Sequence, residues 1–278
     1  MSTVPESEAR WIFSDLDGTI MREDGVIPRS ASEAIISARA TGHRVVLSTG
    51  RSAGQITADV RALSFDAIIS GSGWRVELAD GSVLVDAAFD PMLVEAVTST
   101  LAEAGIPFYF ETHSGLVGTA DSLAHLTEMS ARFEPGPARD RWQQHLDAFT
   151  RTLGRDDDPR PAGITKVVHI GAIDAALPVG VRAMPPSIPS LPAGWGEILP
   201  DGIHKGVAMH QVLDHFGVEV SRSIALGDGF NDIEMLAMAG IGVAMGNACP
   251  EALEVSDMVV TPVDEDGFAM AFKMLGLI

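Results

Sequence analysis

Phe13-Ser14-Asp15-Leu16-Asp17-Gly18-Thr19 sets two carboxylates two residues apart, where the apolar run Trp11-Ile12-Phe13 ends in a glycine turn. The run is typical of a short buried strand, and in an open α/β sheet the functional crevice lies beyond the carboxyl ends of the strands. Both acids can therefore face one small site, with one carboxylate as nucleophile and the other as proton carrier. Taken alone, the stretch also fits an ordinary Asx turn, because Asp and Gly are common turn residues.

A second acidic turn lies far downstream. Gly227-Asp228-Gly229-Phe230-Asn231-Asp232 follows the apolar residues 224–226 and again places acids at the exit of a strand. Four carboxylates that converge without a counter-ion are strongly unfavourable, which favours a divalent cation as the occupant. Oxygen ligands suit Mg²⁺, which usually accompanies a phosphate. Zinc is disfavoured, since the chain has a single cysteine and no H-E-x-x-H helix.

A third segment has the features of a phosphate site. Residues 45–47 form a predicted buried strand that breaks at Thr49-Gly50, before an amphipathic helix that carries Ile56, Val60 and Leu63. A hydroxyl beside main-chain N–H groups at a helix start is a good place for phosphate oxygens. A simple N-cap is the alternative interpretation.

Lys205 supplies a positive charge just before a helix-like run over residues 207–216. An ammonium near the acids can neutralise both a nucleophile and a transferring group. The alternative is a solvated surface lysine, which is the ordinary environment of this residue type. The chain contains only three lysines, Lys166, Lys205 and Lys273, so one inside a motif is less expected by chance.

Together the motifs resemble those of the haloacid dehalogenase superfamily of aspartyl-phosphate hydrolases, and within it the Cof-type sugar-phosphatase branch with an inserted cap of the second class. Four matches in the family's order are a strong signal, whereas any one of them alone is weak. The tail, through residues 242–248 and 265–267, extends the similarity. The four motifs are Asp15-Leu16-Asp17-Gly18-Thr19, Thr49-Gly50-Arg51, Lys205-Gly206 and Gly227-Asp228-Gly229-Phe230-Asn231-Asp232-Ile233-Glu234-Met235-Leu236.

The resemblance implies a role for each motif residue. Asp15 would attack phosphorus, and Asp17 would protonate the leaving oxygen and later deprotonate water. Mg²⁺ would be held by the Asp15 carboxylate, the Asp17 main-chain carbonyl and the Asp228 carboxylate, with Asp232 acting through a metal-bound water. The residues implied to bind phosphate or substrate are Thr49, Gly50, Arg51, Lys205 and Asn231.

The predicted fold is α/β, with a Rossmann-like doubly wound parallel sheet as core and an inserted smaller α+β cap domain. The predicted division is core over 1–86, cap over 87–194 and core again over 195–278. Ser30 and Glu33 predict a capping box that opens a helix ended by Gly42, and Asp80-Gly81 predicts a hairpin turn. In the cap, the pattern predicts helices over 91–104 and 121–133 and strands over 108–110 and 166–170.

Eight cations of the cap are candidates to read a second anionic group on a substrate, and the pattern does not choose among them. We expect one or two of them to face the site. They are Arg132, Arg139, Arg141, Arg151, Arg155, Arg160, Lys166 and Arg182.

Composition excludes several classes of protein. The chain has 278 residues, 46% of them hydrophobic, and a net charge of −19, which disfavours nucleic acid and anionic membranes as partners. No apolar stretch approaches the roughly 18 residues of a membrane span, and the polar, acidic residues 1–10 lack signal-peptide character. Cys249 has no cysteine partner in the chain. We therefore expect a cytoplasmic, reduced protein.

The functional prediction is a Mg²⁺-dependent phosphatase that hydrolyses a small phosphorylated metabolite, with a sugar phosphate as the first candidate. A phosphotransferase or phosphomutase with the same intermediate is an alternative, since the motifs do not decide whether water or another hydroxyl accepts the phosphoryl group. A non-catalytic phospho-accepting domain is a second alternative. Asp17 argues against it, because a phospho-acceptor needs no acid/base residue.

Overall fold

A computed structural model describes residues 4–118, 120–130, 162–185 and 194–278, together with Gly136, Arg139 and Gln143. Contacts between residues divide the chain into two compact units. The first unit comprises Met1–Arg51, Ile56–Asp86 and Ile203–Ile278, and the second comprises Ser52–Gln55 and Ala87–Gly202.

The helices and strands are numbered in chain order over the described residues. The helices are α1 Arg29–Ala40, α2 Ala58–Arg61, α3 Pro91–Glu103, α4 Ala120–Ser130, α5 Lys205–His215, α6 Ile233–Met238, α7 Pro250–Val255 and α8 Gly267–Met274. The strands are β1 Trp11–Ser14, β2 Arg44–Ser48, β3 Ala67–Ser70, β4 Arg75–Leu78, β5 Val83–Asp86, β6 Phe108–Thr112, β7 Gly115–Gly118, β8 Ile164–His169, β9 Val181–Met184, β10 Gly196–Pro200, β11 Ser223–Gly227, β12 Ile241–Ala244 and β13 Met258–Val259.

The first unit is built on an eight-stranded sheet in the order β13-β12-β11-β1-β2-β3-β4-β5. Strands from β13 to β3 run parallel, and the β4–β5 hairpin adds an antiparallel edge. The predicted turn at Asp80-Gly81 connects this hairpin, with Gly81 at φ +83°. These strands confirm the predicted parallel sheet.

Helices cover both faces of this sheet. Side chains alternate between the two faces along a strand, so Ile12 and Phe13 of β1 point to opposite sides. Ile12 packs in a cluster with Ile35 of α1 and Phe272 of α8. Phe13 packs in a second cluster with Met209 of α5 and other buried residues of α5 and α6. Burial of one such side chain contributes about 1.5–3 kcal/mol, and two filled faces hold the strand ends in fixed positions.

The start of α1 differs from the prediction. The helix begins at Arg29 after Pro28 and has no side-chain cap, so the capping box was wrong. Ser30 lies inside the first turn and donates its hydroxyl to Asp266, while Glu33 pairs with Arg29 at 2.7 Å. Because proline lacks an N–H and has a helix-compatible φ, it can begin the helix where Ser30 would otherwise have been the cap. The predicted end is confirmed, with Gly42 at φ +102°.

The second unit contains an antiparallel five-stranded sheet in the order β7-β6-β8-β10-β9. The predicted helices and strands of this segment are present as α3, α4, β6 and β8, over the residues that the structure describes. Strands β7, β9 and β10 were not predicted. The sequence placed the return to the core at residue 195, but β10 pairs with β8 and β9, and the first unit resumes at Ile203.

In the described ranges, every helix falls short of the length and apolar character that crossing a membrane requires.

Candidate active site

Two neighbouring strands deliver the acidic turns to one edge of the sheet. β1 and β11 are parallel, with Ser14 opposite Leu226, and the main-chain N–H of Asp15 donates to the Leu226 carbonyl at 2.9 Å. Asp15 follows β1 and Asp228 follows β11, so both carboxylates emerge at the carboxyl ends of adjacent strands. This is the edge where open α/β sheets bind their ligands.

Lys205 joins two of the acids. Its Nζ donates to Asp15 Oδ1 at 2.6 Å and to Asp232 Oδ1 at 2.7 Å, and its side chain is 0% exposed. Lys205 is the first residue of α5 rather than a residue before the helix, because His204 is the N-cap and accepts from the Val207 N–H at 3.3 Å. The helix start therefore aims the ammonium at the strand ends.

Asp232 is held rigidly by main-chain donors as well. Its Oδ2 accepts from the N–H groups of Asp228 and Gly229, at 3.0 and 2.9 Å. A Cβ at Gly227 would lie 2.5 Å from the Asp232 side chain, so only glycine fits there. The turn after β11 thus closes tightly around this carboxylate.

Asp228 is oriented by two residues whose roles were not predicted. Thr19 Oγ1 donates to Asp228 Oδ1 at 3.0 Å, and Asn247 Nδ2 donates to Asp228 Oδ2 at 3.2 Å. Asn247 also donates to the Gly18 carbonyl at 3.0 Å and accepts from the Val263 N–H at 2.9 Å. Gly18, at φ +84°, lies so close that an added Cβ would be 2.2 Å from Asp228 Oδ2. Their presence inside the matched segments was the only sequence signal for these roles.

The acids outnumber the single ammonium, and their pKa values reflect this. Burial raises the pKa of Asp15 well above its ordinary value, against the opposing effect of Lys205, and the other aspartates add to the rise. Burial, followed by repulsion from Asp232, raises the pKa of Asp228 to about 7. Burial by itself would lower the pKa of Lys205, but the Asp15 and Asp232 carboxylates outweigh that effect and raise it.

The same acids form a group that can hold a cation. Asp15, Asp228 and Asp232 each offer an oxygen, and these oxygens lie within 4.8 Å of one another. Hard carboxylate oxygens with an uncompensated negative charge fit a divalent cation such as Mg²⁺. The role implied for Asp17 uses its main-chain carbonyl, and its carboxylate is not part of this group.

The Thr49-Gly50-Arg51 loop lies between the ends of β2 and β3. Thr49 is fully buried, its hydroxyl accepts from the Arg51 N–H at 3.1 Å, and its own N–H donates to the Ile69 carbonyl at 2.8 Å. The predicted amphipathic helix does not start here. A 3-10 turn at Ala53–Gln55 comes first and only Ala58–Arg61 is helical, since Gly50 before this turn and Gly54 within it disfavour a continuous helix.

Arg51 and Asn231, two further predicted site residues, lie outside the contacts of Lys205. Arg51 donates two hydrogen bonds to the carboxylate of Asp17, from Nε to Oδ2 at 2.8 Å and from Nη2 to Oδ1 at 2.6 Å. Asn231 lies half-buried in the 3-10 turn Phe230–Asp232, directly beside Asp232. The structure therefore gathers Asp15, Lys205, Asp228 and Asp232 into direct contact or close range, and pairs Asp17 with Arg51.

The cap cations separate into three groups. Lys166 is 1% exposed and lies 3.0 Å from Glu197 and 3.7 Å from Glu111, so it is a buried ion-pair residue. Arg182 is half-buried in β9 and Arg139 is exposed. The others lie outside the described residues: Arg132, Arg141, Arg151, Arg155 and Arg160.

Comparison with known proteins shows the family of this chain. The sequence profile of the haloacid dehalogenase-like hydrolases matches residues 12–272. The Bacillus subtilis protein YkrA is 28% identical over 277 residues, which cover 98% of this chain and 99% of YkrA. The HMP-PP phosphatase of Cronobacter sakazakii is 26% identical over 246 residues, which cover 86% of this chain and 85% of that enzyme.

The fold has a counterpart among solved structures. BT1666 from Bacteroides thetaiotaomicron, described among the phosphatases of the HAD superfamily, superposes with a TM-score of 0.77 at 24% identity, over 99% of this chain and 98% of BT1666. At this identity the likeness is one of fold. The profile match over nearly the whole chain shows that it belongs to the haloacid dehalogenase-like hydrolase family, in its Cof-type branch.

Proposed function

We propose that the protein is a Mg²⁺-dependent phosphatase that hydrolyses a small phosphorylated metabolite through an aspartyl-phosphate on Asp15. One observation carries the proposal: Lys205 bridges Asp15 and Asp232 at 2.6 and 2.7 Å, and the oxygens of Asp15, Asp228 and Asp232 lie within 4.8 Å of one another. A nucleophile, a buried cation and a cation-binding group of oxygens are the parts that phosphoryl transfer requires.

In the first step, one oxygen of Asp15 attacks phosphorus and the bond from phosphorus to the leaving oxygen breaks. The electron pair of that bond goes to the leaving oxygen, which takes a proton from the carboxyl of Asp17. The products are the free alcohol and a phosphorylated Asp15. Lys205, already 2.6 Å from Asp15, balances the charge that gathers around the transferred group.

In the second step, a water molecule attacks phosphorus and gives its proton to the Asp17 carboxylate. The bond between phosphorus and the Asp15 oxygen breaks, which releases phosphate and restores the Asp15 carboxylate. Splitting the transfer into two steps lets a single carboxyl group serve first as acid and then as base.

Asp15 and Asp228, with the main-chain carbonyl of Asp17, are the groups that would hold Mg²⁺. When bound, the ion supplies positive charge to the phosphoryl oxygens. Thr49, Gly50, Lys205 and Asn231 would bind those oxygens, and Asp232 would support Lys205 and add its charge to the acids around the ion. Thr19 and Asn247, which donate to the two oxygens of Asp228, would keep this carboxylate aimed at the ion.

The substrate class is a small phosphorylated metabolite, with sugar phosphates as the first candidates. The Cof-type branch and the relative named as an HMP-PP phosphatase support this class. The net charge of −19 argues against a polyanionic partner. We include a cytoplasmic location in the proposal.

The test is release of phosphate into water, without added acceptor, from sugar phosphates, nucleotides, pyridoxal phosphate and p-nitrophenyl phosphate, with Mg²⁺ or with EDTA. We expect activity that needs Mg²⁺ and is abolished in Asp15→Asn, whose fold is checked by circular dichroism. Asp24→Asn, at an exposed surface ion pair, is the matched control and should keep full activity. An active Asp15→Asn variant would refute the nucleophile, and a wild type that needs an added hydroxyl acceptor would indicate a phosphotransferase.

A further inference from the structure

Arg51 and Asp17 form a two-pronged contact on the exposed side of the candidate site. Arg51 Nε and Nη2 donate to separate oxygens of Asp17, at 2.8 and 2.6 Å. Parallel N–H bonds from a planar guanidinium to a carboxylate fix both the position and the plane of the carboxylate. The side chain of Asp17 is 48% exposed and that of Arg51 is 27% exposed, so packing alone does not hold the carboxylate.

The main chain of Arg51 is itself anchored. Its N–H donates to Thr49 Oγ1 at 3.1 Å, and its carbonyl accepts from the Gly71 N–H at 2.7 Å. The loops after β2 and β3 therefore hold the backbone of Arg51 at a defined place relative to the sheet, and Asp17 follows β1 in the same sheet. The side chain of Arg51 thus connects the anchored loops to the carboxylate of Asp17.

We propose that Arg51 is a positioning residue for Asp17, which places the acid/base carboxylate for proton transfer, rather than a ligand of the phosphoryl group. The proposal rests on the proposed function. A carboxylate oxygen has two lone-pair sites, so Oδ1 and Oδ2 each accept one N–H from Arg51 and keep one site for the proton that moves to the leaving oxygen or from water.

The two possible roles of Arg51 predict different dependence on the leaving group. A proton donor matters most when the leaving oxygen is strongly basic, as in an alkyl phosphate, and least for the p-nitrophenolate of p-nitrophenyl phosphate. A ligand of the phosphoryl group contacts the part that all esters share, so its loss lowers the rate for every ester by the same factor.

The experiment compares kcat/KM for p-nitrophenyl phosphate, phenyl phosphate and glycerol 2-phosphate in the full chain with Mg²⁺. The kcat/KM value covers the steps up to departure of the leaving group and so reports the acid step. The variants are Asp17→Asn, Arg51→Gln, Arg51→Lys and the double variant Asp17→Asn/Arg51→Gln. Arg29→Gln, which removes an exposed arginine of the pair with Glu33, is the matched control.

We expect Asp17→Asn to lower kcat/KM for glycerol 2-phosphate by roughly 10²–10⁴-fold and to spare p-nitrophenyl phosphate. Arg51→Gln should lower kcat/KM in the same ester-dependent pattern but by a smaller factor. Arg51→Lys, which keeps one contact, should cause a loss of kcat/KM between those of wild type and Arg51→Gln. In the Asp17→Asn background, Arg51→Gln should cause no further loss, because the two residues act as one unit. Arg51→Lys provides the same comparison if Arg51→Gln does not fold.

Equal losses on all three esters, or losses that multiply in the double variant, would overturn the proposal and make Arg51 a phosphate ligand. A wild type that releases phosphate neither from these esters nor from the sugar phosphates, nucleotides and pyridoxal phosphate named above would instead overturn the proposed function, and this inference with it.

Discussion

Lys205 in the first unit and Lys166 in the second are both buried, 0% and 1% exposed, and each contacts two carboxylates. They differ in the backbone that carries them. Lys205 starts a helix and meets acids at the ends of strands. Lys166 lies within β8, where Glu111 of β6 is its direct cross-strand partner and Glu197 of β10 lies opposite Val168, on the same face of the sheet.

Charge balance is reached differently in the two clusters. The Lys205 cluster has a third acid, Asp228, so its negative charge exceeds what one ammonium neutralises, and the pKa values of Asp15 and Asp228 are raised. In the Lys166 cluster, burial raises the pKa of Glu111 to about 7, although Lys166 opposes this rise. The Lys166 cluster has two acids, Glu111 and Glu197, and so one acid fewer than the Lys205 cluster.

The comparison shows that residue types alone do not make a cation site. Strand ends bring a third carboxylate within 4.8 Å and leave its oxygens pointing to one place, as in the group of Asp15, Asp228 and Asp232. A strand ladder spaces its side chains regularly, and there Lys166 contacts two carboxylates, those of Glu111 and Glu197, among the described residues. We therefore call the Lys205 group the open cluster, since three acids around one lysine can recruit a cation, and the Lys166 group the closed cluster, which lies within a sheet and serves the stability of that sheet.

Replacing each lysine by methionine should separate the two clusters most strongly. Without Mg²⁺, both Lys205→Met and Lys166→Met leave buried acids unpaired, at a cost of about 3–5 kcal/mol in the free energy of unfolding. Added Mg²⁺ should restore part of the stability of Lys205→Met but not of Lys166→Met, because Asp15, Asp228 and Asp232 form a group that can hold the ion, whereas Lys166 contacts two carboxylates. Lys205→Met should also lower kcat by about 10²–10³-fold.

Urea unfolding of the full chain, with EDTA and with Mg²⁺, measures the stabilities. Lys273→Met, at an exposed lysine of α8, is the matched control and should resemble wild type. Equal recovery of both buried variants in Mg²⁺ would contradict the distinction between the clusters.

Glu111 provides a pH test of the closed cluster. Its pKa rises from the ordinary 4.5 to about 7 on folding, so between these values the folded state binds more protons than the unfolded state. Its contribution to stability is therefore fully present below pH 4.5 and is lost as pH rises towards 7, by up to about 3 kcal/mol. Glu111→Gln cannot titrate, so its stability relative to wild type should rise over the same range.

Hydrogen exchange of the amides in β6, β8 and β10, followed between pH 4.5 and pH 8 after correction for intrinsic exchange, gives a local measure of this stability. Glu33→Gln, at the exposed pair with Arg29, controls for removal of a carboxylate. A difference between Glu111→Gln and wild type that stays constant with pH would show that Glu111 titrates normally.

The smallest expected effect concerns the open cluster. Asn247→Ala removes a donor to Asp228 Oδ2 and should weaken Mg²⁺ binding by about 10–100-fold, because such partners orient a metal ligand. Isothermal titration calorimetry with Mg²⁺ measures this directly, and saturating Mg²⁺ should restore most of kcat. Ser82→Ala, in the β4–β5 turn, is the control. Unchanged Mg²⁺ affinity would show that Asn247 does not orient Asp228 for the ion and only connects Gly18 with Val263.

Local pattern predicted the core of the first unit well. Short apolar runs followed by acidic glycine turns are recognisable because strand burial and turn chemistry act over a few residues, and the strands around Phe13 and residues 224–226 were found this way. The antiparallel strands β7, β9 and β10 escaped notice, since short strands of mixed polarity take their stability from the neighbours with which they pair. The prediction of a cap at Ser30 was wrong for a similar reason. The helix begins directly after Pro28, and the Ser30 hydroxyl contacts Asp266, which is distant in the sequence.

The sequence by itself determined the order of the motifs, the class of fold and the family, since these depend on residue types at fixed short spacings. Only the tertiary structure decided which polar groups meet: Lys205 contacts Asp15 across 190 positions, Arg51 contacts Asp17 across 34, and Asn247 contacts Gly18 across 229. It also showed that Lys166, which the sequence does not distinguish from a surface lysine, is buried and paired with Glu111 and Glu197. Such pairings follow from the order of the strands and from packing on both faces of a sheet, because these bring distant segments together. The local spacing of residues carries no information about them.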